Sequence, residues 1–172
     1  SVTDMYNMFA GARAFNQPLA FVTSKVTNMS YMFAYATAFN QPLAFDTSQV
    51  TNMDYMFAET DTDGFWSNFN QPLTFDTSQV TTMHGMFMGA TGFNKPLTFT
   101  DTAQVTDMAD MFWNAIAFNQ PLTFDTSKVT LMRAMFVGAR AFNQPLTFSD
   151  TSQVTTMAFM FSGARAFNQP LT

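Results

Sequence analysis

Apolar positions recur along this chain at a nearly constant spacing, which divides it into seven similar units. Each unit opens with the pattern Val-Thr-x-Met-x-x-Met-Phe, and successive openings lie 24, 24, 30, 25, 24 and 25 residues apart. A fixed period in the twenties is typical of solenoids, whose stacked coils contact only their neighbours. The pattern predicts one domain over residues 1–172, with units 1 to 7 at 2–25, 26–49, 50–79, 80–104, 105–128, 129–153 and 154–172.

Phenylalanine and methionine fill most of the repeated apolar positions. Fourteen of the 15 Met fall in two columns headed by Met5 and Met8, and 20 of the 22 Phe fall in three columns headed by Phe9, Phe15 and Phe21. Coils stacked at about 4.8 Å would turn each column into a continuous apolar ladder. Thioethers fill irregular gaps and contact aromatic rings favourably. We therefore interpret the Met columns as core and not as a soft-metal or haem site.

Two local patterns alternate within a unit. Val26, Met29, Met32 and Ala36 recur at three- and four-residue intervals, which predicts a short helical or 3₁₀ segment, with a polar N-cap and a Gly or Asn near its end. The segment 73–75 reads Leu-Thr-Phe and alternates as a strand does, and an Asp-Thr-Ser turn follows it. We expect parallel, in-register strands joined by right-handed crossovers.

The repeated motifs resemble those of a known family. Val-Thr-x-Met-x-x-Met-Phe-x-Gly-Ala, with Phe-Asn-Gln-Pro-Leu and Asp-Thr-Ser, is similar to the repeats of BspA-like leucine-rich-repeat surface proteins, over the whole chain. The resemblance implies a solenoid with a parallel sheet on one face, cell-surface exposure and a role in adhesion or interaction. The Phe-x-x-x-Leu-x-Phe run from Phe15 to Phe21 is longer than Leu-x-x-Leu-x-Leu. A tighter, flatter β-solenoid is the alternative to the leucine-rich-repeat form.

Charge and composition narrow the range of partners. Only 11% of the residues are charged and the net charge is −5, without the clusters of Lys and Arg that nucleic acids require. The sequence has no cysteine and no apolar run long enough to span a membrane. The apolar columns run to both ends without a polar cap. We expect a segment of a longer repeat chain or a subunit that stacks head to tail, because bare ends must be covered or polymerise.

Unit 3 carries the one large insertion, and the insertion is acidic. Glu59, Asp61 and Asp63 alternate before a glycine, as at the start of a calcium-binding loop, although the later Glu of that motif is missing. The alternatives are a calcium site and a solvated acidic loop. Phe65 and Trp66 follow in the same insertion and form a candidate recognition tip, since loops often carry function.

Other polar residues have structural interpretations. His84, the only histidine, has no nucleophile or second histidine near it in the sequence, so we predict no catalytic role. Asp46, Asp76 and Asp125 recur once per unit, either as turn caps or as a cation ladder. The Asn after each Phe predicts a buried Asn stack that bonds to backbone. Columns of Thr invite comparison with ice-binding solenoids, but paired Thr-x-Thr is absent from nearly every unit.

These patterns predict a non-enzymatic structural or adhesive protein, extracellular or at the cell surface, without a cofactor unless calcium binds. Its expected partners are further repeats or copies stacked end to end. The second hypothesis is a recognition module that holds a surface protein or glycan on its sheet face or on the tip at Phe65 and Trp66. The third is an ice- or surface-binding solenoid.

Overall fold

The computed structural model describes residues 1–59 and 67–171, and parallel pairing joins its successive units. Strands β1 (Leu73–Phe75) and β2 (Leu97–Phe99) lie where the sequence alternates Leu-Thr-Phe in units 3 and 4. They pair in parallel with Leu73 opposite Leu97 and Phe75 opposite Phe99. Elsewhere the pairing consists of single parallel bridges at Asp4–Asn28, Asn28–Asn52, Asn52–Thr82, Thr82–Asp107, Asp107–Leu131, Leu131–Thr156 and Leu146–Leu171.

The segment that the sequence predicts as helical is a run of hydrogen-bonded turns, and no helix occurs in the two described ranges. Alternate amides donate three residues back, as Met32 does to the Met29 carbonyl at 3.2 Å. The amides between them donate to the next unit, as Tyr31 does to the Asp54 carbonyl at 2.8 Å. An α-helix needs each amide to donate four residues back. Because every second amide bonds to the neighbouring unit, these residues cannot form one.

Two positions four residues apart take a positive φ angle in every turn segment except that of unit 3, where Tyr55 is the one such residue among those described. In unit 4 they are Gly85 (57°) and Gly89 (70°). The Gly and Asn residues that the sequence predicts at the end of a helix do adopt the left-handed conformation, but they end a hydrogen-bonded turn and not a helix. Side chains with a β-carbon also adopt it, although the left-handed conformation costs them roughly 1–2 kcal/mol. They include Asn7, Tyr31, Tyr35, Tyr55, Asp110, Asn114, Ala134 and Phe159.

The Met and Phe columns form the core. Met29, Met86 and Phe87 are completely buried, as are most members of their columns in the inner units. Phe33 and Phe57, from successive units, have ring centroids 5.6 Å apart and planes within 6° of each other. This separation lies in the range of favourable offset stacking. The predicted core is therefore confirmed in the inner units for both Met columns and for the Phe columns headed by Phe9 and Phe15, whereas the column headed by Phe21 is buried only at Phe45 and Phe75.

A ladder of asparagines runs the whole length of the stack. The Asn40 amide donates to the Asn16 Oδ1 at 2.9 Å, and this bond repeats at every later unit boundary through to Asn168 and Asn143. A glutamine side chain reinforces most steps, as Gln41 Nε2 does by donating to Asn16 Oδ1 at 3.0 Å. The predicted bonding to backbone is present, although the inner asparagines are half-buried and not fully buried.

The first and last units expose complementary backbone groups. The unit 1 amides of Met5, Asn7, Phe9 and Gly11 donate to unit 2, and the same pattern repeats along the chain. In unit 7 the corresponding amides have no acceptor among the described residues, and in unit 1 the corresponding carbonyls have no donor there. The unpaired amides belong to Met157, Phe159, Phe161 and Gly163, and the unpaired carbonyls to Asp4, Tyr6, Met8 and Ala10.

Candidate functional site

Most of the predicted calcium site and recognition tip lies outside the described residues. This applies to Asp61, Asp63, Phe65 and Trp66. Glu59 is described, is 4% exposed and donates its amide to the Met88 carbonyl at 2.6 Å. In residues 1–59 and 67–171 no three His, Cys, Asp or Glu side chains converge in a way that could hold a metal ion. The calcium site and the recognition tip stay predictions.

The once-per-unit aspartates cap turns. Asp46 Oδ1 accepts the Ser48 amide at 3.1 Å, and Asp76 and Asp125 make the same bond to residues two further on, at 3.0 and 2.9 Å. Hydrogen bonds from these serines lower the pKa of all three carboxyls below the ordinary value. The turn-capping interpretation is confirmed for these contacts, which leaves no need for a cation to explain the column.

The threonines of the exposed Thr column also form hydrogen bonds between units. Thr27 donates both its amide and its Oγ1 to the Thr3 carbonyl, at 2.8 and 3.2 Å, and later threonines of the column repeat both bonds. These hydroxyls are directed along the stack and bond to protein backbone. Their positions follow from the pairing of the units, independently of any ligand lattice.

Among the described residues, the largest group of interacting charges lies on the turn segments of units 3 to 6. We call Asp54, His84, Asp107, Asp110 and Arg133 the turn-face cluster. His84 Nδ1 lies 3.3 Å from Asp107 Oδ2, and His84 Nε2 lies 3.4 Å from Asp110 Oδ2. Arg133 Nη2 donates to the same Asp110 oxygen at 2.8 Å. The histidine therefore bridges two carboxylates of the following unit, one of which orients an arginine.

Proton affinity in this cluster departs from ordinary values. The hydrogen bond with Asp107 raises the pKa of His84, and the nearby carboxylate charges act in the same direction against the effect of burial. Burial raises the pKa of Asp54, although hydrogen bonds from Thr82 and from the His84 amide oppose it. Both shifts favour the protonated form of the group in the folded protein.

A cleft of about 230 Å³ adjoins the cluster on units 5 to 7. We call it the Trp113 cleft. Trp113 of unit 5 and Phe159 of unit 7 contribute aromatic rings to it, and the unit between them contributes small side chains. Asp110 and Arg133 supply its charged groups. Its lining residues are Asp110, Trp113, Arg133, Ala134, Val137, Phe159 and Ser162.

Our sequence analysis predicted neither the cluster nor the cleft. His84 lies in a variable column and has no partner nearby in the sequence, so we assigned it no role. The usable signal was the alignment of units, since positions 3, 5 and 6 of each unit adjoin those of the next. Read across units, these positions place His84 beside Asp107 and Asp110.

The structure is that of a repeat protein whose units pair in parallel with their neighbours. The family described as "Mycoplasma protein of unknown function, DUF285" matches residues 1–65, 44–124 and 123–172, and the chain belongs to this family. It is a repeat family associated with BspA-like proteins. No curated protein and no solved structure matches the chain. The described residues contain no helix long and apolar enough to cross a bilayer.

Proposed function

We propose that this chain is a non-enzymatic structural or adhesive repeat protein, extracellular or at the cell surface, folded as a solenoid of the BspA-like leucine-rich-repeat type. We further propose that its end faces stack on further units of the same kind. The resemblance of the repeats to those of BspA-like surface proteins supports the surface role. The use of side chains supports the structural role, because the Met, Phe, Asn and Thr columns are engaged in contacts between units.

The observation that carries the stacking proposal is the match between the two end faces. Unit 7 presents four amides spaced two residues apart, and unit 1 presents four carbonyls with the same spacing. The Thr column forms a second ladder of hydrogen bonds with the opposite direction, in which each Thr donates to the carbonyl of the preceding unit. Unit 7 therefore presents the Thr155 carbonyl as an acceptor, and unit 1 presents the amide and hydroxyl of Thr3 as donors. A head-to-tail contact between two such faces would repeat the bonds of every internal boundary. If two copies met through the same end face, the amide donors of one copy would lie opposite the amide donors of the other.

Apolar side chains on the end faces add to this match. Met8 is 47% exposed and Met157 is 39% exposed, whereas the inner members of their columns are buried. Burying apolar surface contributes about 25 cal/mol per Å², so covering these faces favours association. Contacts between unlike faces generate open rods when successive copies do not close into a ring. Adjoining repeats in a longer chain would cover the faces through the same contacts.

Sedimentation velocity and electron microscopy over a range of concentrations test the proposal. The wild-type chain should form unbranched rods that lengthen as concentration rises. Met157→Lys places a charge on the end face and should shorten the rods, because a buried unpaired charge is costly. Gln79→Lys adds the same charge at an exposed position on the side of the stack and is the matched control.

Discrete particles of one chain length at every concentration would contradict the stacking proposal, as would equal behaviour of the two lysine variants.

Repeating the measurement with and without calcium also tests the predicted site at Glu59, Asp61 and Asp63. Calcium binding that is lost in Asp61→Asn and Asp63→Asn variants would support that site.

A further inference from the structure

The Trp113 cleft combines exposed aromatic surface with a fixed pair of opposite charges. Trp113 is 36% exposed and Phe159 is 77% exposed, and both line the same cleft. Unit 6 lies between them in the stack and contributes the smaller side chains of Ala134 and Val137 to the lining. A cleft lined by aromatic rings from two units, with smaller side chains between them, offers apolar surface to a flat ring from solvent.

The fold does not require the aromatic side chains at these positions. The column of Trp113 holds Ala10, Ala34 and Ala58 in units 1 to 3, within the same turn and with the same amide bond to the residue three positions back. Phe159 has a φ angle of 61°, which a bulky residue adopts at a cost. Trp113 belongs to unit 5, which has a neighbour on both sides, so its exposure does not come from the end of the stack. A large exposed apolar group of this kind indicates an interaction surface.

The polar groups of the cleft are held in place before any ligand arrives. The side chain of Asp110 is 7% exposed, and its Oδ2 accepts from Arg133 Nη2 at 2.8 Å and lies 3.4 Å from His84 Nε2. No hydrogen bond to Asp110 Oδ1 occurs among the described residues. The Arg133 side chain is 51% exposed, so part of its guanidinium faces solvent. Groups fixed in advance lose little conformational freedom when they bind.

We propose that the Trp113 cleft binds one neutral pyranose unit of a glycan. A carboxylate only accepts hydrogen bonds and a guanidinium only donates them, whereas a hydroxyl does both. Adjacent sugar hydroxyls can therefore donate to Asp110 and accept from Arg133. The apolar C–H face of the ring can lie against the indole of Trp113.

Charge and size select this occupant over others. The negative charge of Asp110 offsets the positive charge of Arg133, so the lining of the cleft carries no net charge. Its volume of about 230 Å³ is below the lower limit of roughly 300 Å³ for pockets that hold drug-sized molecules. A single sugar ring fits this description better than a charged peptide side chain or an acidic sugar.

Isothermal titration calorimetry with neutral oligosaccharides tests the proposal. The probes are hexamers of β-1,4-glucose, α-1,4-glucose and N-acetylglucosamine, with oligogalacturonate as the acidic comparison. At least one neutral hexamer should bind. Trp113→Ala should weaken it by roughly 10- to 30-fold, the loss typical of a central tryptophan. Tyr6→Ala removes an exposed aromatic ring from unit 1 and should leave binding unchanged.

Arg133→Gln provides a second variant that does not depend on the indole. It removes the charge from an exposed side chain, and it should also weaken binding, with circular dichroism confirming the fold. Absence of binding to every neutral hexamer would overturn the proposal. Tighter binding of oligogalacturonate would also overturn it, as would binding that Trp66→Ala abolishes and Trp113→Ala leaves unchanged. The proposal does not depend on end-to-end stacking.

Discussion

The inner and the outer units have the same Met residues at equivalent core positions but differ in how far these residues are buried. Met86 in unit 4 is 0% exposed, whereas Met8 at the equivalent position of unit 1 is 47% exposed. Met132 and Met157 differ in the same way, at 0% and 39%. Since sequence and local conformation are alike, the difference comes from the missing neighbour. Stability in this protein belongs to the boundaries between units more than to the units themselves.

Replacing one column methionine at two depths should give the largest contrast. Met86→Ala removes a completely buried side chain and should lower the free energy of unfolding by about 2–5 kcal/mol. Met8→Ala should cost much less, because water already reaches that side chain. Urea denaturation of both variants measures the contrast. Equal losses would mean that the two units are packed alike in solution.

Glycine substitutions should separate backbone strain from contact with the neighbouring unit. Gly11 and Gly89 both have a φ angle of 70°, so alanine at either position should cost about 1–2 kcal/mol. A β-carbon on Gly89 would also overlap the Glu59 carbonyl oxygen of the preceding unit, whereas one on Gly11 would meet nothing within 4 Å. Gly89→Ala should therefore lose a further 1–3 kcal/mol or so. Thermal and urea unfolding of the pair measure the difference.

The asparagine ladder offers a third matched pair. Asn94 Oδ1 accepts the Asn119 amide at 3.0 Å and Gln120 Nε2 at 2.9 Å. Asn94→Ala leaves the Asn119 amide without its acceptor, whereas Gln120 Nε2 keeps its longer bond to the Asn94 backbone carbonyl at 3.4 Å. We expect a loss of about 1–3 kcal/mol. Asn168 Oδ1 accepts no bond from the described residues, and Asn168→Ala should cost only a few tenths of a kcal/mol. Hydrogen exchange at the Asn119 amide provides a local readout, and unchanged protection in Asn94→Ala would contradict the ladder.

The turn-face cluster should produce the smallest effect, a dependence of stability on pH. The folded protein raises the pKa of His84, so its contribution is complete below the ordinary value of 6.5 and is lost as pH rises through the raised value. The raised pKa of Asp54 changes stability in the same direction, at lower pH. The His84 contribution should be below about 1 kcal/mol, as for other partly exposed ion pairs. Urea midpoints from about pH 5 to about pH 9 should fall less steeply in His84→Gln.

The sequence predicts the core of this protein well because each column is sampled seven times. The repeated columns show that Met29 and Phe33 are buried without any knowledge of three-dimensional contacts. They also predict that the Asn column, which includes Asn40, bonds to backbone. The turn segments were harder to predict. Three- and four-residue spacing is common to a helix and to successive turns, and the choice depends on whether an amide such as that of Tyr31 bonds within its unit or to the next.

The candidate sites were predicted less well because they lie where the repeat varies. His84 meets Asp107 and Asp110 only when units 4 and 5 are aligned side by side. Trp113 could have been noticed as a bulky residue in a column that holds alanine in units 1 to 3. Its position beside Arg133 and Phe159 depends on the pairing of three units, and no single unit contains that information.

The sameness of the unit boundaries has an evolutionary consequence. Because every boundary uses the same ladder of asparagines and the same alternating amides, duplicating one whole unit in the gene would lengthen the protein without creating any new kind of contact. Duplicating half a unit would move the Met, Phe and Asn columns out of register with those of the neighbouring units, and would break the asparagine ladder. Unit 3 tolerates extra residues because they lie between Glu59 and Ser67, and the columns resume at Phe69, whose ring stacks on that of Phe57 at 4.2 Å. Genes of this type can therefore change protein length in whole units and add variation in loops.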